Sequence, residues 1–121
     1  MIIWQRIEGG LVCLSALLIL TQVGIYIPIW MAVLLFFAPD LAFFGYLFGP
    51  RVGAVAYNAL HIYAFGLILA AIGVVFGGPV WIRLGLLWIA HAGFDRALGY
   101  GLKSAEAFGI THLGRIGPKS D

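Results

Sequence analysis

The chain has 121 residues, 63% of them hydrophobic and only 10% charged, with a net charge of +2 and a mean hydropathy of +1.05. A soluble domain carries about 25% charged residues, and one of this size has too much surface for its volume to hide so much apolar side chain. An ordinary water-soluble fold is therefore excluded, and so is a nucleic-acid-binding surface, because the basic residues are scattered with no basic run.

The class that remains is an all-α membrane protein whose first partner is the lipid bilayer. Four apolar stretches are separated by proline and glycine. They run at about 10–27, 29–48, 52–76 and 80–102, with breaks at Pro28, at Gly49-Pro50-Arg51 and at Gly77-Gly78-Pro79. A bilayer core of about 30 Å needs about 20 helical residues, so each stretch can span. Helices are required, because a spanning backbone must satisfy its own polar groups and four strands cannot close a barrel. The expectation is one domain, 1–121, built as an antiparallel bundle of four transmembrane helices with a polar tail, 103–121. The first stretch reads as a retained span: Glu8 follows Arg6, and no small-residue cleavage site stands after the apolar run. The lone Cys13 offers no disulfide partner and no metal or redox motif, and it reads as a small hydrophobe.

Short turns place Arg6, Arg51, Lys103, Arg115 and Lys119 on one side, with Arg96 near it, and leave Arg83 on the other. The positive-inside rule then puts both termini in the cytoplasm, with the chain crossing the membrane several times.

Polar residues interrupt three of the four stretches. Asp40 stands about nine residues before the turn at 49–51, and Asn58 and His61 stand about eight and eleven after it. In the fourth stretch His91 and Asp95 share a helix face at i, i+4, followed by Arg96. At 1.5 Å per residue all of these lie roughly 7–17 Å from the cytoplasmic boundary. Ionisable groups at such depth cost roughly 2.5–3.5 kcal/mol each on insertion scales, so three helices bringing them to one level calls for mutual partners.

One reading is purely structural. Pro39 leaves the carbonyl of Leu35 without its helical donor, Asn58 and His61 join helices by hydrogen bonds, and Arg96 reaches the surface or pairs with a carboxylate. The other is a reactive or ion-binding site. His61 and His91 with Asp40 or Asp95 make a set of two histidines and one carboxylate, suited to one divalent ion, Fe, Zn or Mn. His112 is a candidate third imidazole, folding back from the tail. Asn58, Arg96 and Lys103 are candidates for outer-shell or substrate contacts, and Asp40 or Asp95 for a general base. Without metal the same residues make a proton relay. The chain has three histidines, too few for a many-histidine di-iron site. On the opposite face of the fourth helix Gly93, Ala97 and Gly101 repeat at i+4. This small face is suited to close packing inside the chain or to a homodimer.

The motifs Pro39-Asp40-Leu41, Tyr57-Asn58-Ala59-Leu60-His61, His91-Ala92-Gly93-Phe94-Asp95-Arg96, Gly99-Tyr100-Gly101-Leu102-Lys103 and Thr111-His112-Leu113-Gly114 resemble the DUF4260 family of small bacterial four-helix membrane proteins. The resemblance covers about 8–114 and supports the architecture; it implies no activity. Three functions stay open at this point. The first is a metal- or proton-linked site acting on a membrane-soluble substrate. The second is a small dimeric transporter or ion path, and the third an accessory subunit or assembly factor of a larger membrane complex.

Overall fold

The computed structural model describes residues 2–24, 27–102 and 110–115. Five α-helices follow in order: α1 (Ile2–Val23), α2 (Ile29–Phe37), α3 (Pro50–His61), α4 (Tyr63–Phe76) and α5 (Pro79–Leu98). A 3₁₀ helix, Ala38–Phe48, continues α2, and a two-stranded hairpin, β1 (Ile110–Thr111) with β2 (Gly114–Arg115), follows α5.

Helix α5 is the axis of the fold. It packs against α1 on one flank and α4 on the other, with further contacts to α2 and α3. Cys13, Ala16 and Leu20 of α1 meet Leu86, Leu87 and Ala90 of α5 in the buried core. The approach is close because glycines face each other. A Cβ at Gly93 would meet the carbonyl of Gly9 and the backbone nitrogen of Cys13, and one at Gly66 would meet the carbonyl of Gly85. Small residues let backbones touch where lipid supplies no hydrophobic drive for association. The small face of α5 is thus used at Gly93 and Ala97 by α1, and Gly101 lies against His112 and Leu113.

Among the described residues two helices are long and apolar enough to cross a membrane: Ile2–Val23, and Ile29–Phe48 taken through its 3₁₀ half. The pair α3 and α4 makes a third if counted as one span bent by 50°. Large apolar side chains such as Trp4, Leu14, Leu18, Leu34, Phe44 and Val75 stand exposed on the outer surface, as a lipid-facing surface requires.

The structure corrects several expected boundaries. Helix α1 begins at Ile2, not near residue 10, since Gln5, Arg6 and Glu8 are good helix formers and extend the helix beyond its apolar part. The stretch expected as one helix at 52–76 is broken. No proline sits there; the ring of His61 turns back to donate from Nδ1 to the Tyr57 carbonyl (2.8 Å), and Ile62 goes extended (φ −88°, ψ 148°). Helix α5 stops at Leu98, where Gly99 takes φ +92° and the next amides close back, Gly99 N–H to the Arg96 carbonyl (3.0 Å) and Tyr100 N–H to that of Asp95 (2.8 Å). Helix α5 has the length of a span, yet with Arg83, Asp95 and Arg96 it falls outside the candidate spans.

Candidate metal centre

Pro39 shapes the first wall of the site. It has no N–H to give the Leu35 carbonyl, so Ala38 N–H supplies it instead, one residue early. That tightening turns α2 into the 3₁₀ helix, with three residues per turn, and sets Asp40 in its first turn. The second wall is the last turn of α3, which ends on His61. The third is α5, where His91 and Asp95 stack at i, i+4.

These four residues converge. His61 Nε2 lies 3.1 Å from His91 Nε2, 3.3 Å from Asp40 Oδ1 and 3.4 Å from Asp95 Oδ2; His91 Nε2 lies 3.1 Å from each of the same carboxylate oxygens. The four ligand atoms all fall within 4.8 Å of one another. The imidazoles are buried, with His61 3% and His91 1% exposed, while the Asp95 side chain is 14% and that of Asp40 37% exposed.

A carbonyl accepts, so His61 Nδ1 carries the proton, and a neutral His61 aims its Nε2 lone pair into the cluster. Facing it are two carboxylate oxygens and a second Nε2. If His91 donates from Nε2, one hydrogen faces three acceptors, each about equally near, and can serve only one well. With both carboxylates ionised the cluster carries a charge of −2 in a region of low dielectric, which is costly. Two bound protons or one divalent cation remove that charge, and a cation satisfies all four lone pairs at once. Five of the six separations among these atoms run from 3.1 to 3.4 Å, a donor set compact enough to close around one ion.

Tyr57, one turn before His61, holds two of the four. Its ring stacks on that of His61 (centroids 3.8 Å apart, interplanar 8°), its carbonyl receives the His61 Nδ1 proton, and its hydroxyl hydrogen-bonds to Asp95. It is 2% exposed. Sequence reasoning missed it as a site residue. The signal was its i−4 spacing from His61. On the far side, Phe36 and Phe37 pack edgewise on the His91 ring (5.3 and 6.0 Å), and its Nδ1 has no hydrogen-bond partner among the described residues.

The other candidate residues lie elsewhere. His112, exposed on the hairpin turn, accepts at Nδ1 from Leu102 N–H (2.7 Å), and its backbone N–H donates to the Leu102 carbonyl (3.0 Å). It is not among the four converging ligands. Burial, helped by the nearby Arg96 charge, pushes the His112 imidazole below the usual histidine range. Arg96 lies over the Tyr63 ring, 4.9 Å from its centroid. Asn58 is half-buried on α3, and Lys103 lies outside the described residues.

A family model matches residues 2–116. The chain belongs to the DUF4260 family. Its description is "Domain of unknown function (DUF4260)", so the assignment agrees with the resemblance in the sequence and brings no chemistry of its own. No curated protein and no solved structure matches the chain. Within DUF4260, the chemistry of this member has to be argued from its Asp/His cluster.

Proposed function

We propose that this DUF4260 member is a multi-pass protein of the bacterial inner membrane that holds one divalent metal ion at Asp40, His61, His91 and Asp95 and uses it on a membrane-soluble substrate. The observation that carries this reading is the convergence of four lone-pair donors around two buried imidazoles, with His61 locked in the tautomer that a ligand needs. Two carboxylates and two neutral imidazoles match a 2+ charge, so the loaded site is neutral, the cheapest state inside a membrane. Four nitrogen and oxygen donors are the number Zn²⁺ takes; Fe²⁺ or Mn²⁺ would call for further oxygen ligands.

In this reading α5 crosses the membrane as a fourth span, with its charges met inside the bundle. Arg83 Nε donates to the Gly24 carbonyl (2.6 Å), Asp95 joins the cluster and Arg96 covers Tyr63. Both termini then lie in the cytoplasm by the positive-inside rule, and the site sits in the cytoplasmic half. Reporter fusions at the 49–51 and 77–79 turns test this arrangement, and a 77–79 turn found on the cytoplasmic side contradicts it.

The reaction class best suited is hydrolysis. A metal held there would supply an acidified water, and Asp40, the most exposed of the four donors, would be the group to take its proton. Elemental analysis of protein purified in mild detergent without chelators, beside a His61→Ala/His91→Ala double variant, tests the reading. Near-stoichiometric metal in the wild type, lost in the variant, is expected. Absence of metal in the wild type would move the weight to a proton relay on the same four residues, as a small transporter would need, or to a structural role for them in an accessory subunit.

A further inference from the structure

The four ligands are not equivalent. His61, His91 and Asp95 are enclosed, and Tyr57 braces His61 and Asp95 through its carbonyl, ring and hydroxyl. Asp40 belongs to a separate wall, the 3₁₀ helix, and its side chain is 37% exposed. In a 3₁₀ helix residues at i and i+3 eclipse. Leu41, Phe44 and Leu47 therefore form one row, and they are 63%, 65% and 80% exposed. Phe37, one 3₁₀ turn before Asp40, is 48% exposed. The one open ligand thus stands beside an apolar row on a segment apolar enough to cross a membrane.

We propose that Asp40 is the exchangeable ligand, and that its place is taken by an oxygen of an amphipathic lipid-like substrate arriving from the bilayer, a carboxylate, phosphate or ester head on an apolar chain. The proposal rests on the metal reading above and adds a division of labour to it. Three fixed donors keep the ion, as in catalytic zinc sites, where three protein ligands leave one position for water or substrate. The fourth swings aside and stays close enough to take a proton. The exposed row gives the apolar chain its path and restricts entry from water.

Carboxylate rescue on the full chain in lipid nanodiscs, with Co²⁺ as a spectroscopic stand-in, tests this. Asp40→Ala should keep about one Co²⁺ per chain with an altered visible spectrum. Acetate should restore the wild-type spectrum, and decanoate should do so at a concentration roughly tenfold lower or less, because its methylenes favour the bilayer. Asp95→Ala should respond to neither, since its place is enclosed. Asp40→Asn, which keeps the shape of the side chain, should also retain Co²⁺. Loss of Co²⁺ from both Asp40 variants would overturn the proposal, as would equal rescue of Asp95→Ala, no rescue of Asp40→Ala, or acetate acting as well as decanoate. A wild type that takes up no Co²⁺ would overturn the metal reading itself, which separates the two failures.

Discussion

Tyr57→Phe separates positioning of the metal ligands from simple packing. The substitution keeps the ring stacked on His61 at 3.8 Å and keeps the backbone carbonyl that holds His61 Nδ1 at 2.8 Å. It removes only the hydroxyl that hydrogen-bonds to Asp95. A hydrogen bond to a charged group is worth about 1.5–3 kcal/mol net, and about 1.4 kcal/mol is tenfold in an equilibrium constant. The expected loss is therefore on the order of 10–100-fold in metal affinity, the range seen when outer-shell partners of metal ligands are removed. The assay is a competition titration of Zn²⁺ against a chromophoric chelator in detergent, with thermal unfolding of the metal-free protein in parallel. Metal affinity should fall while the metal-free unfolding temperature changes little, because no cavity is made. An unchanged affinity would refute the reasoning, and so would a fall in unfolding temperature that accounts for the whole loss. Tyr57→Leu, which also removes the stacked ring, should cost more affinity than Tyr57→Phe.

Three further outcomes follow from the packing, the cluster and the tail. Gly93→Ala, which drives a methyl into the backbone of Gly9 and Cys13, should destabilise the protein by about 1–3 kcal/mol, read as a lower unfolding temperature in detergent; Gly10→Ala, whose Cβ would sit at 3.7 Å from that of Ala97, should be tolerated. Removing metal with a chelator should lower the unfolding temperature of the wild type and leave that of the His61→Ala/His91→Ala variant unchanged, since only the folded wild type binds the ion. The hairpin should release as pH falls. The His112 Nδ1 that accepts from Leu102 N–H must be unprotonated, and the docked imidazole titrates below its ordinary value, so the released tail takes up a proton first and docking weakens as pH drops through about 6.5. Hydrogen exchange at Leu102 should accelerate at low pH in the wild type and show no such step in His112→Ala.

Much of the site was legible in the sequence because depth is readable in a membrane helix. Counting residues from the 49–51 turn and from the end of the fourth stretch put Asp40, His61, His91 and Asp95 at one level, and the structure brings those four together. The sequence reading asked for one carboxylate and left the choice open; both join, because Asp40 and Asp95 come from different walls and do not compete for one position. Periodicity could not show the break at Ile62, an apolar residue with no proline or glycine beside it. That break coincides with the His61 side chain bonding back to its own helix, which hydropathy does not register. The small face of α5 was legible as a packing surface but not its occupant, which depends on Gly9 lying opposite Gly93. The role of Tyr57 was hidden for a simpler reason: a tyrosine in an apolar run looks like core, and only the fold sets its hydroxyl against Asp95.

The central claim, one metal held by two imidazoles and two carboxylates, is tested most directly by X-ray absorption at the edge of the metal that purifies with the protein. The account predicts four nitrogen or oxygen neighbours at about 2.0–2.1 Å, with the outer-shell scattering of two imidazole rings in the wild type, lost in the His61→Ala/His91→Ala variant. A spectrum with no imidazole scattering, or a sulfur neighbour at about 2.3 Å pointing to Cys13, would contradict it.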